Sequence, residues 1–152
     1  LHFNDRKYAD DDLTMGSIDP YQLFRIFYEI SAAELETGAE LDIAYMIDQS
    51  HNLKPKIEAM IQTVMTAQEH LAKAMLVDHS ALARCQARED LVMSERTLKD
   101  AYETDVRPLL AEWRKSRKLP ADPLEAFRAS GYAERIAKER GSRKQPAPSS
   151  FA

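Results

Sequence analysis

The order of secondary structure in the first half of the chain most constrains its fold. Residues 1–4 have the pattern of a strand end, and a helix is predicted between a cap at Asp19 and the closing Gly38. Residues 41–48 have the pattern of a second strand, and a long amphipathic helix with an apolar stripe over residues 57–76 follows. The order strand, helix, strand, helix is the unit of a parallel α/β protein.

Two strands do not form a stable parallel sheet, because such sheets are buried on both faces. We therefore expect neighbouring strands from outside these 152 residues, and we interpret residues 1–80 as the closing part of a longer barrel. Residues 81–140 are predicted to form a helical extension. Residues 141–152 are rich in Ser, Pro, Lys and Arg, which is typical of a disordered tail.

The second predicted strand has two different faces. Its odd positions, from Leu41 to Ile47, are large and apolar and suit an outer helix layer, whereas its even positions end on Asp48. In a parallel barrel one strand face packs on the helices and the other faces the interior. The pattern therefore predicts that Asp48 points inward at the carboxyl-terminal rim.

Candidate metal ligands follow both predicted strands. His2 lies in the first strand end, Asp10 and Asp12 lie in the loop behind it, and Asp48 ends the second strand. If His2 points inward like Asp48, both lie at the rim where barrel enzymes carry out their chemistry. An imidazole with carboxylates suits Mn²⁺, Mg²⁺, Co²⁺ or Zn²⁺, and the sequence does not choose among these ions.

Each of these residues also has an ordinary structural interpretation. A lone histidine is more often a surface or core residue than a ligand, and the acidic triplet at residues 10–12 is by itself typical of a solvated turn. Asp48 and Ser50 are residue types that cap helices. Their joint placement at two successive strand ends makes a shared site an equally good interpretation, and on the residues alone both remain open.

Three motifs stand out: HFNDRKYADDDL at residues 2–13, GSIDPY at residues 16–21 and MIDQSHN at residues 46–52. They resemble bacterial L-rhamnose isomerases of the broad-specificity type, in the xylose-isomerase-like superfamily. The resemblance continues through LVD, TLK, TDV and RASGY at residues 76–78, 97–99, 104–106 and 128–132, so it covers nearly the whole chain.

The resemblance implies a (β/α)8 TIM barrel, of which this chain holds the end of the seventh strand, the eighth strand and their helices. It also implies a role for each candidate residue. His2 and Asp48 correspond to ligands of a first metal that also holds the sugar, and Asp48 is assigned to catalysis. Asp10 and Asp12 correspond to ligands of a second, catalytic metal, and Ser50 corresponds to a position beside the substrate.

The implied activity is the interconversion of L-rhamnose and L-rhamnulose by metal-assisted hydrogen transfer between C1 and C2. The resemblance implies two divalent cations per full-length subunit, preferably Mn²⁺, and a homotetramer. The remaining ligands belong to earlier strands, so the chain is expected to need a missing N-terminal barrel segment and to be inactive alone. The alternatives are a ketose 3-epimerase of the same fold, which needs one metal, and a non-enzymatic helical interaction module over residues 81–140.

Composition limits the partners of the chain. The net charge of −4 gives no general attraction to nucleic acid or to a membrane surface, so neither is predicted as a partner. No apolar run approaches the roughly 20 residues that cross a bilayer. The single Cys85 excludes an internal disulfide and fits a reducing cytoplasm, which is the predicted location.

Overall fold

The structure, a computed structural model, describes residues 1–50 and 54–141. Two strands and seven helices occur in these residues: β1 (His2–Phe3), α1 (Pro20–Thr37), β2 (Met46–Ile47), α2 (Lys56–Met75), α3 (His79–Ala87), α4 (Leu91–Glu103), α5 (Arg107–Ser116), α6 (Pro123–Ala129) and α7 (Tyr132–Glu139). Of the tail predicted at residues 141–152, all but residue 141 lies outside the described residues, as do His51 and Asn52 of the third motif.

β1 and β2 pair in parallel, with His2 beside Met46 and Phe3 beside Ile47. Backbone hydrogen bonds continue past the pair, since the Asp48 amide donates to the Phe3 carbonyl at 3.2 Å. The predicted order strand, helix, strand, helix and the parallel pairing are therefore confirmed. The complete barrel remains a prediction.

The second strand is shorter than predicted. Residues 41–45 lie outside β2, and in this segment the Ile43 amide donates to the Leu41 carbonyl in a local turn. A strand of a parallel sheet is held by a ladder of hydrogen bonds to its neighbours. Within the described residues β1 is the partner of β2, and β1 is itself two residues long. The length of the pairing, not the sequence of residues 41–48, therefore sets the length of β2.

Local signals define both ends of α1. The Asp19 side chain accepts a hydrogen bond from the Gln22 amide at 2.9 Å, and Pro20 occupies the first turn, where its missing N–H costs nothing. Gly38 ends the helix with φ +66°, a left-handed conformation that glycine adopts without a Cβ penalty. Phe24 and Phe27 from this helix are buried in the core.

The apolar stripe of α2 does not form its packed face. The buried residues of this helix have smaller or polar side chains, namely Ala59, Thr63, His70 and Ala74. Members of the predicted stripe are exposed instead, namely Ile57, Met60, Val64, Leu71 and Met75. α2 packs mainly against α1. Ala74 packs in the core with Phe24 of α1, whereas Ala59 and Thr63 hydrogen-bond the Gln49 side chain. A short side chain such as Ala74 on the contact face lets two helix axes approach closely.

Helices α3 to α7 form the C-terminal part of the described chain, and α2 packs against α4, α5 and α6. Pro108 lies in the first turn of α5, and Asp122 caps α6 by accepting hydrogen bonds from two amides of its first turn. Gly131, with φ +60°, separates α6 from α7, as its position in the sequence predicts. Residue 80 lies inside α3, so the predicted division after residue 80 does not fall between two helices.

Candidate metal and substrate site

His2 and Asp48 lie together at the carboxyl ends of the two paired strands. His2 Nδ1 is 3.0 Å from Asp48 Oδ2, and about half of each side chain is exposed. Asp48 does not cap α2, since among the described residues no side chain caps this helix, which begins behind Pro55. The contact instead follows from the strand register, which places His2 one residue pair before the end of the ladder.

The separation of these two atoms is that of a hydrogen bond, and it is also compatible with two neighbouring ligands of a divalent cation. Two adjacent ligands of an octahedral ion, each about 2.1 Å from the metal and about 90° apart, are about 3 Å from each other. An imidazole nitrogen and a carboxylate oxygen are also suitable donors for ions of this class. His2 and Asp48 could therefore supply two neighbouring ligand positions of one ion.

Asp12 belongs to a second contact at the same strand ends. Its Oδ1 accepts a hydrogen bond from Asn4 Nδ2 at 3.1 Å, and its carbonyl accepts one from the Ser50 amide at 2.6 Å. Asp12 has φ +42°, in the left-handed region that Asp and Asn tolerate better than most residues. The loop after β1 is thereby joined to the segment after β2.

The rest of the acidic loop is organised by two other carboxylates. Asp5 Oδ2 accepts hydrogen bonds from the amides of Ile18 and Asp19, and the backbone of Asp5 pairs with Leu13 in an antiparallel bridge. Asp11 accepts hydrogen bonds from the amides of Lys7 and Tyr8. These two carboxylates close the loop on itself.

The structural interpretation of the acidic triplet therefore applies to its middle member, Asp11. Asp10 is exposed, whereas Asp12 is half-buried beside Asn4.

Four predicted ligands do not gather into one complete site. His2 pairs with Asp48, Asp12 lies with Asn4, and Asp10 is separate from both contacts. In residues 1–50 and 54–141 no group of three or more His, Cys, Asp or Glu side chains is close enough to hold an ion. The metal roles of these residues and the substrate role of Ser50 remain predictions.

One buried residue beside the site was missed by sequence reasoning. Gln49 lies between Asp48 and Ser50 and has 8% of its surface exposed. Its Oε1 accepts hydrogen bonds from the Met15 amide at 3.3 Å and from Thr63 Oγ1 at 2.8 Å. Strand alternation was the available signal, because a residue between two site-facing positions must point into the core.

No family model matches the chain. Two curated proteins, one from Rhizobium meliloti and one from Mesorhizobium japonicum, are each 47% identical to it over 140 residues. Both are named as probable sugar isomerases. The chain is similar to probable sugar isomerases. The aligned region covers 92% of this chain and 33% of each relative, so the chain spans about a third of the length of these probable sugar isomerases.

The similarity supports the sequence prediction at the level of a sugar isomerase. Neither name specifies L-rhamnose, a metal or an oligomeric state. In the described part of the chain, no helix is both long enough and apolar enough to cross a membrane.

Proposed function

We propose that this chain is the C-terminal third of a metal-dependent aldose–ketose isomerase that interconverts L-rhamnose and L-rhamnulose in the cytoplasm. The observation that carries the proposal is the 47% identity to probable sugar isomerases over 92% of the chain. The motifs at residues 2–13 and 46–52, which resemble L-rhamnose isomerases, support the choice of sugar.

The proposed architecture is a (β/α)8 barrel closed by β1, β2 and their helices. Parallel pairing of β1 with β2 supports it, because adjacent barrel strands are parallel and joined by a helix. The exposed apolar stripe of α2 also supports it, because such a stripe is normally covered by a neighbouring element. We further propose a homotetramer as the working form.

We propose two divalent cations per full-length subunit, preferably Mn²⁺. His2 and Asp48 would hold the first, and Asp10 and Asp12 would hold the second. Bound there, the ions would polarise the carbonyl oxygen and stabilise charge while hydrogen moves between C1 and C2. The 3.0 Å separation of His2 Nδ1 and Asp48 Oδ2 supports the first position.

The residues of this chain would orient the sugar and the metal-binding carboxylates. Asp48 and His2 would fix neighbouring sugar oxygens through shared ligation, while the Ser50 hydroxyl would form a wall of the sugar pocket two residues further on. The hydrogen bond from Asn4 to Asp12 would keep that carboxylate turned toward the strand ends. These contacts would position the reacting carbons, and such positioning lowers the barrier to the transfer.

The test uses the longer protein that contains this chain. Metal-stripped protein is incubated with L-rhamnose with and without Mn²⁺, and the sugars are identified by NMR while bound metal is counted by mass spectrometry. We expect L-rhamnulose only in the presence of the ion, with two ions per subunit. One ion with inversion at C3 of a ketose would favour the epimerase, and neither ions nor turnover would favour the interaction module.

A further inference from the structure

Gln49 separates two candidate site residues, and its side chain lies on the opposite face of the chain from theirs. Asp48 is exposed and Ser50 is half-buried, while Gln49 is buried against α2. Successive side chains of an extended segment alternate between faces. The segment therefore presents Asp48 and Ser50 to the strand ends and extends Gln49 into the core.

The Gln49 side chain connects three parts of the chain. Its Oε1 accepts from the Met15 amide and from Thr63 Oγ1, and its Nε2 donates to the Ala59 carbonyl at 3.3 Å. Ala59 and Thr63 are buried residues of α2, whereas Met15 lies in the loop between β1 and α1, three residues after Asp12. The Gln49 side-chain amide thus ties this loop to α2.

A second connection acts on Asp12 directly. The Ser50 amide donates to the Asp12 carbonyl at 2.6 Å, and Asp12 has a left-handed backbone. Such a conformation persists only where surrounding contacts enforce it. Two neighbouring residues therefore hold this part of the loop. Ser50 binds the Asp12 carbonyl, and Gln49 binds the Met15 amide three residues later.

We infer that Gln49 is a positioning residue that sets the place of Asp12 relative to the His2–Asp48 pair. The inference rests on the proposed function, because it gives that placement a purpose in holding two ions at a fixed separation. Residues that orient metal ligands without binding the ion typically change metal affinity by about 10- to 100-fold when replaced.

The test compares two glutamine substitutions in the longer protein. Gln49→Met keeps the length of the side chain but removes all three hydrogen bonds. Gln68→Met is the matched control, because Gln68 Oε1 likewise accepts two hydrogen bonds, from Arg114 Nε at 3.1 Å and Nη2 at 2.6 Å, but joins α2 to α5. Metal titration and amide hydrogen exchange are measured on both variants.

Gln49→Met should lower the affinity for the second ion by about 10- to 100-fold and leave the affinity for the first ion nearly unchanged. In the metal-free protein it should also speed amide exchange at residues 10–15. Gln68→Met should lower the unfolding temperature without changing either ion. If Gln49→Met fails to fold, Thr63→Val can be used instead. It removes one donor to Gln49 Oε1 and should lower the affinity for the second ion by a smaller factor.

The positioning role would be overturned if Gln49→Met lowered the affinity for both ions equally. It would also be overturned if Gln68→Met lowered the affinity for the second ion as much as Gln49→Met does. Unchanged exchange at residues 10–15 would overturn it as well. A wild-type protein that binds fewer than two ions would instead contradict the proposed function. The exchange comparison in metal-free protein would still test the link between Gln49 and the loop.

Discussion

Asp48 and Ser50 are expected to contribute differently to one pocket, although they are two residues apart. In the longer protein, Asp48→Asn keeps the side-chain shape but removes a ligand charge, so turnover should fall about 100-fold or more while the fold is retained. Replacing Ser50 with a larger residue should change the preference among aldoses more than it changes metal content. Steady-state kinetics with several sugars and metal counting check both. Equal effects of Asp48→Asn and Ser50→Ala on bound metal would contradict this division.

Asp10 and Asp12 are predicted to serve an ion distinct from that of His2 and Asp48. Two neighbouring cations repel each other, so the second needs its own carboxylates. The double variant Asp10→Asn/Asp12→Asn should bind one ion instead of two, bind sugar with near-native affinity and lose turnover. Asn also tolerates the left-handed backbone of Asp12, so the loop should survive.

The control for that double variant is Asp11→Asn, which alters the loop carboxylate that accepts the Lys7 and Tyr8 amides. It should loosen the loop while two ions remain bound. Near-native turnover in the double variant would return residues 10–12 to the interpretation of a solvated turn.

His70 links stability to pH. Burial lowers the pKa of its imidazole below the usual 6.5, Lys73 lowers it further, and the Thr66 carbonyl that accepts from Nδ1 and the Glu69 carboxylate oppose the shift. The unfolded chain therefore takes up a proton at higher pH than the folded chain does. The stability that the neutral ring provides is complete above about pH 6.5. It is lost as the pH falls through the lower pKa that His70 has in the folded chain.

His70→Gln should flatten this dependence, because an amide does not titrate. Unfolding temperatures of the longer protein at pH 7.5 and 5.5 give the measurement. Between pH 7.5 and pH 5.5 the unfolding temperature of the wild type should fall further than that of the variant does. Identical losses would mean that the His70 proton does not contribute.

Gly16 holds the loop between β1 and α1 close to α2. It has φ +77°, and a Cβ at this position would lie 2.8 Å from Thr66 Cγ2. Gly16→Ala should therefore destabilise the longer protein by about 1–3 kcal/mol through backbone strain and overpacking together. Denaturant unfolding measures the change.

The control is Gly38→Ala, where φ is +66° and nothing lies within 4 Å of the added Cβ, so strain acts alone. Gly38→Ala should therefore destabilise the longer protein less than Gly16→Ala does. Thr66→Ser, which removes the clashing methyl group, should recover part of the loss from Gly16→Ala. No recovery would show that the clash adds nothing to the strain.

Elements with local signals were predictable, and elements that depend on partners were not. The ends of α1 follow from Asp19, Pro20 and Gly38, which act within one turn of the helix. The packed face of α2 does not follow from its apolar stripe. Ala74 packs in the core with Phe24 of α1, and Ala59 lies against the Gln49 side chain. β2 was predicted too long for the same reason, since strand length depends on pairing.

The site was predictable only to the extent that strand ends specify it. The contact between His2 and Asp48 follows from placing both at the ends of neighbouring parallel strands. The different duties of Asp5, Asp11 and Asp12 do not follow from sequence, because identical carboxylates are distinguished only by which amides face them. Gln49 was missed because its role depends on a backbone amide of a distant loop.

The whole chain is predicted to depend on further strands for its stability. Expressed alone, residues 1–152 should be helical but poorly packed, prone to aggregation and without isomerase activity. The outer edges of β1 and β2 lack partners among the described residues, and side chains such as Met60 and Val64 are 43% and 47% exposed. Thermal circular dichroism with size-exclusion chromatography provides the measurement.

Val64→Glu is a useful companion to that experiment. It should make the isolated chain more soluble, because it interrupts the exposed stripe of α2. In the longer protein the same change should lower stability, because the proposed barrel would cover the stripe there. A sharp, cooperative transition from a monomeric wild-type fragment would count against the barrel.

The left-handed backbone of Asp12 restricts how the loop can change during evolution. A backbone with φ +42° favours Asp, Asn and Gly over most L residues, although Ala9 of the same loop has φ +43°, so substitutions at position 12 are biased toward these three residues whatever the chemistry requires. Within that narrow set only Asp carries a charge. Among homologues without the proposed isomerase reaction, position 12 is therefore expected to keep one of these three residues more often than position 10 keeps Asp.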